Sequence, residues 1–215
     1  MSRRCVALVA VSLLAAGCGS KPQAPDWQVD AHGALQRYEQ AYLAGDGRAA
    51  DAEFARARSD LASTGEAAMV ARAELTRCAL QVASLVLEGC PGFDALRADA
   101  GPAERAYADY LQGAPVDAAL LPPQHRAAVA GGASAAALGQ IADPMSRLVA
   151  AGVVLRSGRA EPQLLQVAVD AASAQGWRRP LLAWLGAQLK LAEQRGAAGE
   201  AERLRRRIAL AGGTT

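Results

Sequence analysis

The sequence predicts an all-α protein built from antiparallel helix hairpins, and composition is the first reason. The chain has 215 residues, of which 53 are alanine, the residue with the highest helix propensity. Only 14 valines, 2 isoleucines and 9 aromatic residues are present, so the chain is poor in the residues that favour sheet. A charged fraction of 20% with leucine throughout excludes wholesale disorder. The length fits one domain or two small ones.

The second reason is the regular alternation of helix-compatible stretches with short breakers. Glycines such as Gly45 and Gly176 follow these stretches, where they accept the left-handed conformation of a helix C-cap. Asp143-Pro144 combines an N-cap residue with proline at the first helical position. The predicted helices span residues 27–44, 47–63, 66–88, 93–99, 102–112, 122–130, 133–142, 144–157, 162–175, 179–195 and 198–210.

The first twenty residues have the features of a secretory leader. Arg3 and Arg4 make the start basic, residues 6–16 are apolar, and small residues flank Cys18. The apolar run is shorter than the ~20 residues that span a bilayer. Residues 14–18, Leu-Ala-Ala-Gly-Cys, resemble the bacterial lipobox, in which the chain is cut before a cysteine that carries a thioether-linked diacylglycerol.

The lipobox resemblance implies removal of residues 1–17 and attachment of lipid to Cys18. Residues 18–25 then form a lipidated tether, and residues 26–215 form a periplasmic helical domain. In that family Gly19, in place of aspartate, favours the outer membrane. Cleavage removes two arginines and no acid, so the formal net charge of +2 falls to zero and the acyl chains alone provide the anchor. An ordinary secretory leader with an incidental cysteine is the alternative.

Two cysteines remain once Cys5 is removed with the leader and Cys18 is acylated. In an oxidising periplasm the pair Cys78 and Cys90 predicts a disulfide. One continuous helix would separate their Cα atoms by ~18 Å, which is too far for a bond. However, a glycine and a proline flank Cys90 and predict that the helix stops near Leu87. Two free thiols are the alternative, and zinc is not expected because no further ligand is near.

The middle of the chain contains one enclosed helix and one weak region. Residues 78–87 have only Gln81 and Ser84 as polar side chains, which predicts that neighbouring helices surround this segment. Residues 113–139 are rich in proline and glycine. A hinge or a boundary between two helical halves is expected there.

Two helix pairs resemble the tetratricopeptide repeat, a helix-turn-helix unit that stacks into solenoids. In the first pair, three residues have the spacing of the repeat's small-large-small positions: Ala50, Phe54 and Ala57. In the second, Leu185 and Leu189 match the first helix of the repeat, but Glu202 stands where the repeat has a large apolar residue. The resemblance covers about a third of the chain and implies a tetratricopeptide-like α-solenoid. An irregular helical bundle is the alternative.

The sequence lacks the standard catalytic motifs, namely GxSxG, HExxH, CxxC, the P-loop and GxGxxG. Its two histidines, His32 and His125, are far apart, and each is expected to have a surface or capping role. Carboxylate pairs such as Asp51 and Glu53 are spaced i, i+2 and point to different sides of a helix. We therefore expect no enzyme, cofactor or metal site, and a pair of acids from distant helices is the alternative.

Residues 177–184 are the first candidate interaction surface. They contain Trp177, Arg178, Arg179 and Trp184, and tryptophan and arginine are the residues that most often anchor protein interfaces. Trp177 precedes the predicted helix and is the better candidate for exposure. Core packing is the alternative for Trp184.

The second candidate surface lies near the end of the last helix. It consists of Arg203, Arg205, Arg206 and Arg207. The simplest interpretation is a solvated helix end, where cations complement the helix dipole and Glu202 pairs with Arg206. The functional alternative is contact with phosphate groups of lipid or lipopolysaccharide, because a guanidinium binds phosphate through two hydrogen bonds.

Together these features predict an outer-membrane lipoprotein whose helical domain binds protein and catalyses nothing. Helical repeats form extended binding surfaces without a catalytic constellation. Tetratricopeptide-type envelope lipoproteins serve as assembly factors, pilotins or adaptors, and the resemblance implies such a role. The expected partners are the membrane, through the N-terminal lipid, and an envelope protein, while the low net charge argues against nucleic acid. An envelope enzyme or a small-ligand-binding protein with a pocket between helices is the alternative.

Overall fold

The computed structural model describes residues 24–159 and 161–213. The predicted leader, residues 1–17, lies outside this part of the chain, as do Cys18 and most of the predicted tether. Both described ranges are helical and contain no β-strand, which confirms the predicted all-α class. None of their helices is long and apolar enough to cross a membrane.

Eleven α-helices and two 3₁₀ helices form the described chain. The α-helices are α1 (Asp26–Ala44), α2 (Gly47–Ala62), α3 (Ala67–Ala83), α4 (Pro91–Asp94), α5 (Pro102–Leu111), α6 (Pro123–Ala130), α7 (Ala135–Gly139), α8 (Pro144–Arg156), α9 (Pro162–Ala174), α10 (Arg178–Gln194) and α11 (Ala198–Gly212). The 3₁₀ helices are Arg97–Asp99 and Ala118–Leu120. As predicted, the Asp143 carboxylate caps α8 by accepting a hydrogen bond from the backbone N–H of Ser146 at 2.7 Å.

The third helix ends earlier than predicted, at Ala83 instead of near Leu87. The chain reverses there because Leu85 adopts a left-handed backbone conformation with φ of 60°. The segment that follows returns toward α3 and brings Cys90 to Cys78. Their Cα atoms lie 5.6 Å apart and the two residues form a disulfide.

The predicted enclosure of α3 is confirmed. This helix contacts α1, α2, α4, α5 and α8, and the C-terminal half that is apolar in sequence is largely buried. It packs tightly against α8, where Gly152 faces Val82. A Cβ atom at Gly152 would lie 2.4 Å from the Val82 carbonyl oxygen, so the two backbones meet with no room for a side chain. Only glycine fits this crossing.

Two hydrophobic clusters form the core. The larger cluster contains buried side chains from every α-helix from α3 through α11, and Trp184 is the largest side chain that it buries completely. The smaller cluster lies between α1, α2 and α3 and contains Tyr38 and Phe54. The partly buried side chains of Met145 and Trp177 pack against both clusters and link them.

The helices close into an irregular bundle. Neighbours in sequence pack as hairpins, notably α1 with α2 and α10 with α11. In addition, α1 contacts α10 and α3 contacts α8, although these helices are far apart in the chain. A repeat in a solenoid contacts only its neighbours. The residues that resemble the tetratricopeptide pattern, Ala50, Phe54 and Ala57, are buried against α1, but a tetratricopeptide solenoid is not confirmed.

The proline- and glycine-rich segment 113–139 is packed into the bundle. It contains α6, α7 and the second 3₁₀ helix, and its side chains Leu121 and Leu138 are fully buried. α6 contacts α8, and α7 contacts α8 and α9. Hinge motion about this segment stays a prediction.

Candidate functional site

The predicted interaction segment 177–184 lies largely inside the molecule. Trp184 has no exposed surface, and its indole N–H donates a hydrogen bond to the backbone carbonyl of Ala83 at 2.9 Å. Trp184 therefore cannot touch a partner, and its assignment to an interaction surface is wrong. The alternative of core packing is confirmed, because the face of α10 that carries Trp184 and Leu185 turns toward the larger cluster.

The other residues of this segment hold α10 to α1. The Arg179 Nε donates a hydrogen bond to the Tyr42 carbonyl oxygen at 2.7 Å, and its guanidinium carbon lies 4.3 Å from the centre of the Tyr42 ring. Trp177 is half-buried against both hydrophobic clusters. Of the four candidates only Arg178 is exposed. The other three, Trp177, Arg179 and Trp184, pack or form hydrogen bonds within the chain.

The two histidines have different environments. His32 is exposed on α1, as predicted. His125 is buried, which corrects the prediction of a surface or capping role. Its ring packs beside Tyr107 and Tyr110, and the Tyr110 hydroxyl lies 3.4 Å from Nδ1. Burial lowers the pKa of His125 to about 4, although the negative charge of Asp143 acts to raise it. The imidazole is therefore uncharged near neutral pH.

The acidic residues of the described chain do not form a buried pair. Glu74 is its only buried carboxylate, 6% exposed, and accepts a hydrogen bond from the Arg58 Nε at 3.0 Å. Burial, and then the charge of Asp143, raise the pKa of the half-buried Glu39. Asp143 itself is exposed and caps α8, so this pair does not face across a closed cleft. In residues 24–159 and 161–213 no group of acids, histidines or cysteines could hold a metal ion.

The arginines of the C-terminal helix divide into two sets. Arg205 binds two carboxylates, those of Glu193 at 2.5 Å and of Glu202. The predicted pairing of Glu202 with Arg206 is therefore wrong. Glu202 pairs with Arg205, which also binds Glu193 on α10. Arg203, Arg206 and Arg207 are exposed and form no ion pair with any residue of the described ranges.

The candidate binding site is a groove between α1, the end of α2 and α3, which we call the α1–α3 groove. It has a volume of about 530 Å³. Ala31 and Ala73 are almost fully buried and form its floor, and their small side chains let an occupant approach the helix backbones. Leu35, Leu61 and Met69 form its walls.

Polar side chains are confined to the rim of this groove. Arg72 donates a hydrogen bond from Nε to Glu104 of α5 at 2.8 Å, and this bond holds the pKa of the Glu104 carboxyl below its usual range. The Thr76 hydroxyl donates to the Arg72 carbonyl at 3.1 Å. These groups have partners within the chain. An occupant therefore meets apolar walls, the exposed amide of Gln28 and the exposed imidazole of His32.

Sequence reasoning missed this groove because its walls come from three helices. One signal was available. Trp27 and Val29 are apolar residues in the first turns of α1, and Val29 is 56% exposed instead of facing the core. An apolar residue off the buried strip of a helix indicates either chance exposure or a binding surface.

Comparisons of the chain with protein-family models, with curated proteins and with solved structures find no match.

Proposed function

We propose that this protein is a bacterial outer-membrane lipoprotein whose periplasmic helical bundle is a non-catalytic scaffold for another envelope protein. The lipobox-like residues 14–18 support the anchor. The α1–α3 groove supports the binding role and is the observation that carries the proposal. One of its lining residues, Ala24, lies within the predicted tether of residues 18–25, so the anchor would hold the groove close to the membrane.

The occupant we propose is an apolar segment of a partner protein. The groove is open along α1 and α3, has an alanine floor, and offers aliphatic walls with polar groups only at the rim. Apolar side chains of a partner would replace water there without leaving a buried polar group unpaired. The volume also lies within the range of small-ligand sites, which keeps a small apolar ligand as the second candidate.

Lipid attachment is tested by Cys18→Ser. We expect the parent chain to incorporate labelled palmitate and to partition into the detergent phase, and the variant to incorporate none, because only Cys18 has the lipobox context. Cys5→Ser is the matched control, since Cys5 lies within the leader, and it should be labelled like the parent. Label that persists in Cys18→Ser would refute the anchor.

The groove is tested by photo-crosslinking in cells. A photoreactive residue at Val29 or Thr76, both exposed lining positions, is expected to give one and the same protein adduct. Met69→Glu should abolish the adduct, because it replaces an apolar wall of the groove with a charged side chain that an apolar occupant would desolvate. Gln194→Glu adds the same charge at an exposed site on α10 and should leave the adduct unchanged.

The adduct distinguishes the candidates. Crosslinks on the partner should map to one apolar segment. Gln124 is exposed on α6, outside the groove, and serves as the control position for the photoreactive residue. If it gave the same adduct in equal yield, the partner would not bind specifically at the groove, and the proposal would be overturned. Capture of a lipid or another small molecule in place of a protein would support the small-ligand alternative instead.

A further inference from the structure

The outer face of α11 combines three free cations with an exposed leucine. Arg203, Arg206 and Arg207 are exposed and have no carboxylate or hydrogen-bond partner in the described chain, and Leu210 is 75% exposed. Most other arginines of the described chain are held by a carboxylate, a carbonyl oxygen or an aromatic ring. The outer face of α11 is thus the place where unpaired cations gather.

Helix geometry places these four residues together. Arg206 and Arg207 follow Arg203 at three and four positions and Leu210 follows it at seven, so all four share one strip of an α-helix about 10 Å long. The opposite strip carries the buried residues of α11, which pack against α10. The arginine strip therefore points away from the bundle, with Leu210 at its C-terminal end.

We infer that this strip, Arg203, Arg206, Arg207 and Leu210, is a second membrane contact that binds the phosphate groups of an anionic lipid surface. Each guanidinium can bind a phosphate through two hydrogen bonds, and none needs to leave a carboxylate to do so. A leucine one turn beyond a group of cations is suited to the boundary between headgroups and acyl chains.

The neighbouring Arg205 sharpens this assignment. It lies on the side of α11 that faces α10, where Glu193 and Glu202 neutralise it. The four arginines that look alike in sequence thus have two roles, since Arg205 joins two helices and the other three remain available. The inference rests on the proposed lipid anchor in one respect, namely that the anchor determines which membrane the strip meets in the cell. A tethered domain experiences a high local concentration of the lipids of that membrane.

The test uses the chain from residue 18 onward with Cys18→Ser, which keeps every described helix and both hydrophobic clusters but carries no lipid. We expect it to bind vesicles of phosphatidylcholine mixed with phosphatidylglycerol, to bind pure phosphatidylcholine far more weakly, and to lose binding in high salt. Sedimentation with vesicles measures the partition coefficient. The result does not depend on acylation, so it can fail or succeed independently of the anchor.

The triple variant R203Q/R206Q/R207Q should reduce the partition coefficient on the order of a hundredfold, from roughly fivefold for each cation. The matched control R48Q/K190Q/R195Q removes the same charge at three other exposed positions, which also have no carboxylate partner among the described residues. Its partition coefficient should stay within a few-fold of that of the parent. L210A should weaken binding severalfold.

Unchanged thermal unfolding of all variants would confirm that their folds are intact. An equal loss in both triple variants would show that only net charge matters and would overturn the inference. Absence of binding by the parent would overturn it as well.

Discussion

Replacing Trp184 by alanine is expected to lower the free energy of unfolding by about 3 to 5 kcal/mol. The side chain has no exposed surface and packs in the larger hydrophobic cluster, so truncation leaves a cavity that the surrounding helices cannot fill. It also leaves the Ala83 carbonyl at the end of α3 without its donor. Because domains are stable by only about 5 to 15 kcal/mol, this single change removes a large share of the total. Thermal and urea unfolding of the Cys18→Ser chain measure it.

Two variants separate packing from hydrogen bonding at this position. Trp184→Phe keeps an aromatic ring in the cavity but has no N–H, and should cost about 1 to 3 kcal/mol through the unpaired carbonyl. Trp27→Ala is the control, since Trp27 is only half-buried at the mouth of the groove and should cost distinctly less than Trp184→Ala. Equal stability losses for Trp27→Ala and Trp184→Ala would contradict the central role of Trp184.

Loss of the Cys78–Cys90 disulfide is expected to cost about 3 kcal/mol, the amount that closing a loop of this length removes from the entropy of the unfolded chain. The bond also holds the irregular segment after α3, where the Arg156 guanidinium donates a hydrogen bond to the Leu87 carbonyl. The double variant Cys78→Ala/Cys90→Ala should therefore unfold at a lower urea concentration than the parent, in the Cys18→Ser background.

Reductant supplies the control for this prediction. Both sulfur atoms are buried, so reductant should act fully only after the chain unfolds. Unfolding curves of the parent with reductant should then approach those of the double variant, and reductant should not change the double variant. A parent that unfolds identically with and without reductant, and shows no shift in electrophoretic mobility, would indicate two free thiols.

The helix bounds were largely predictable because they depend on nearby residues. Proline at the first helical position and the Asp143 cap act within one turn, and α8 begins where they predict. The end of α3 was predicted too late because Leu85 takes a left-handed conformation that its own side chain does not favour. Just before this reversal, the Ala83 carbonyl accepts a hydrogen bond from the indole N–H of Trp184, which is 101 residues away in the sequence. No local pattern contains that contact.

The candidate sites were less predictable than the helices. Trp177 and Arg179 have the composition of an interface anchor, yet Arg179 binds Tyr42 across 137 residues of sequence. Intramolecular and intermolecular interfaces use the same residue types, so composition cannot distinguish them. His125 illustrates the same limit, since its burial depends on the tyrosines of α5.

Local chemistry was enough to establish the helical class and most helix ends, because each depends on a few adjacent residues. Tertiary packing decided which side chains of the same type are buried in the core, which form ion pairs between helices and which remain exposed. It buried Trp184, paired Arg205 with two carboxylates and left Arg203, Arg206 and Arg207 on the outer face of α11. It also brought α1 and α3 together to form a groove. The physical reason is that burial and ion pairing are settled by competition among distant partners, and the outcome depends on how all the helices pack at once.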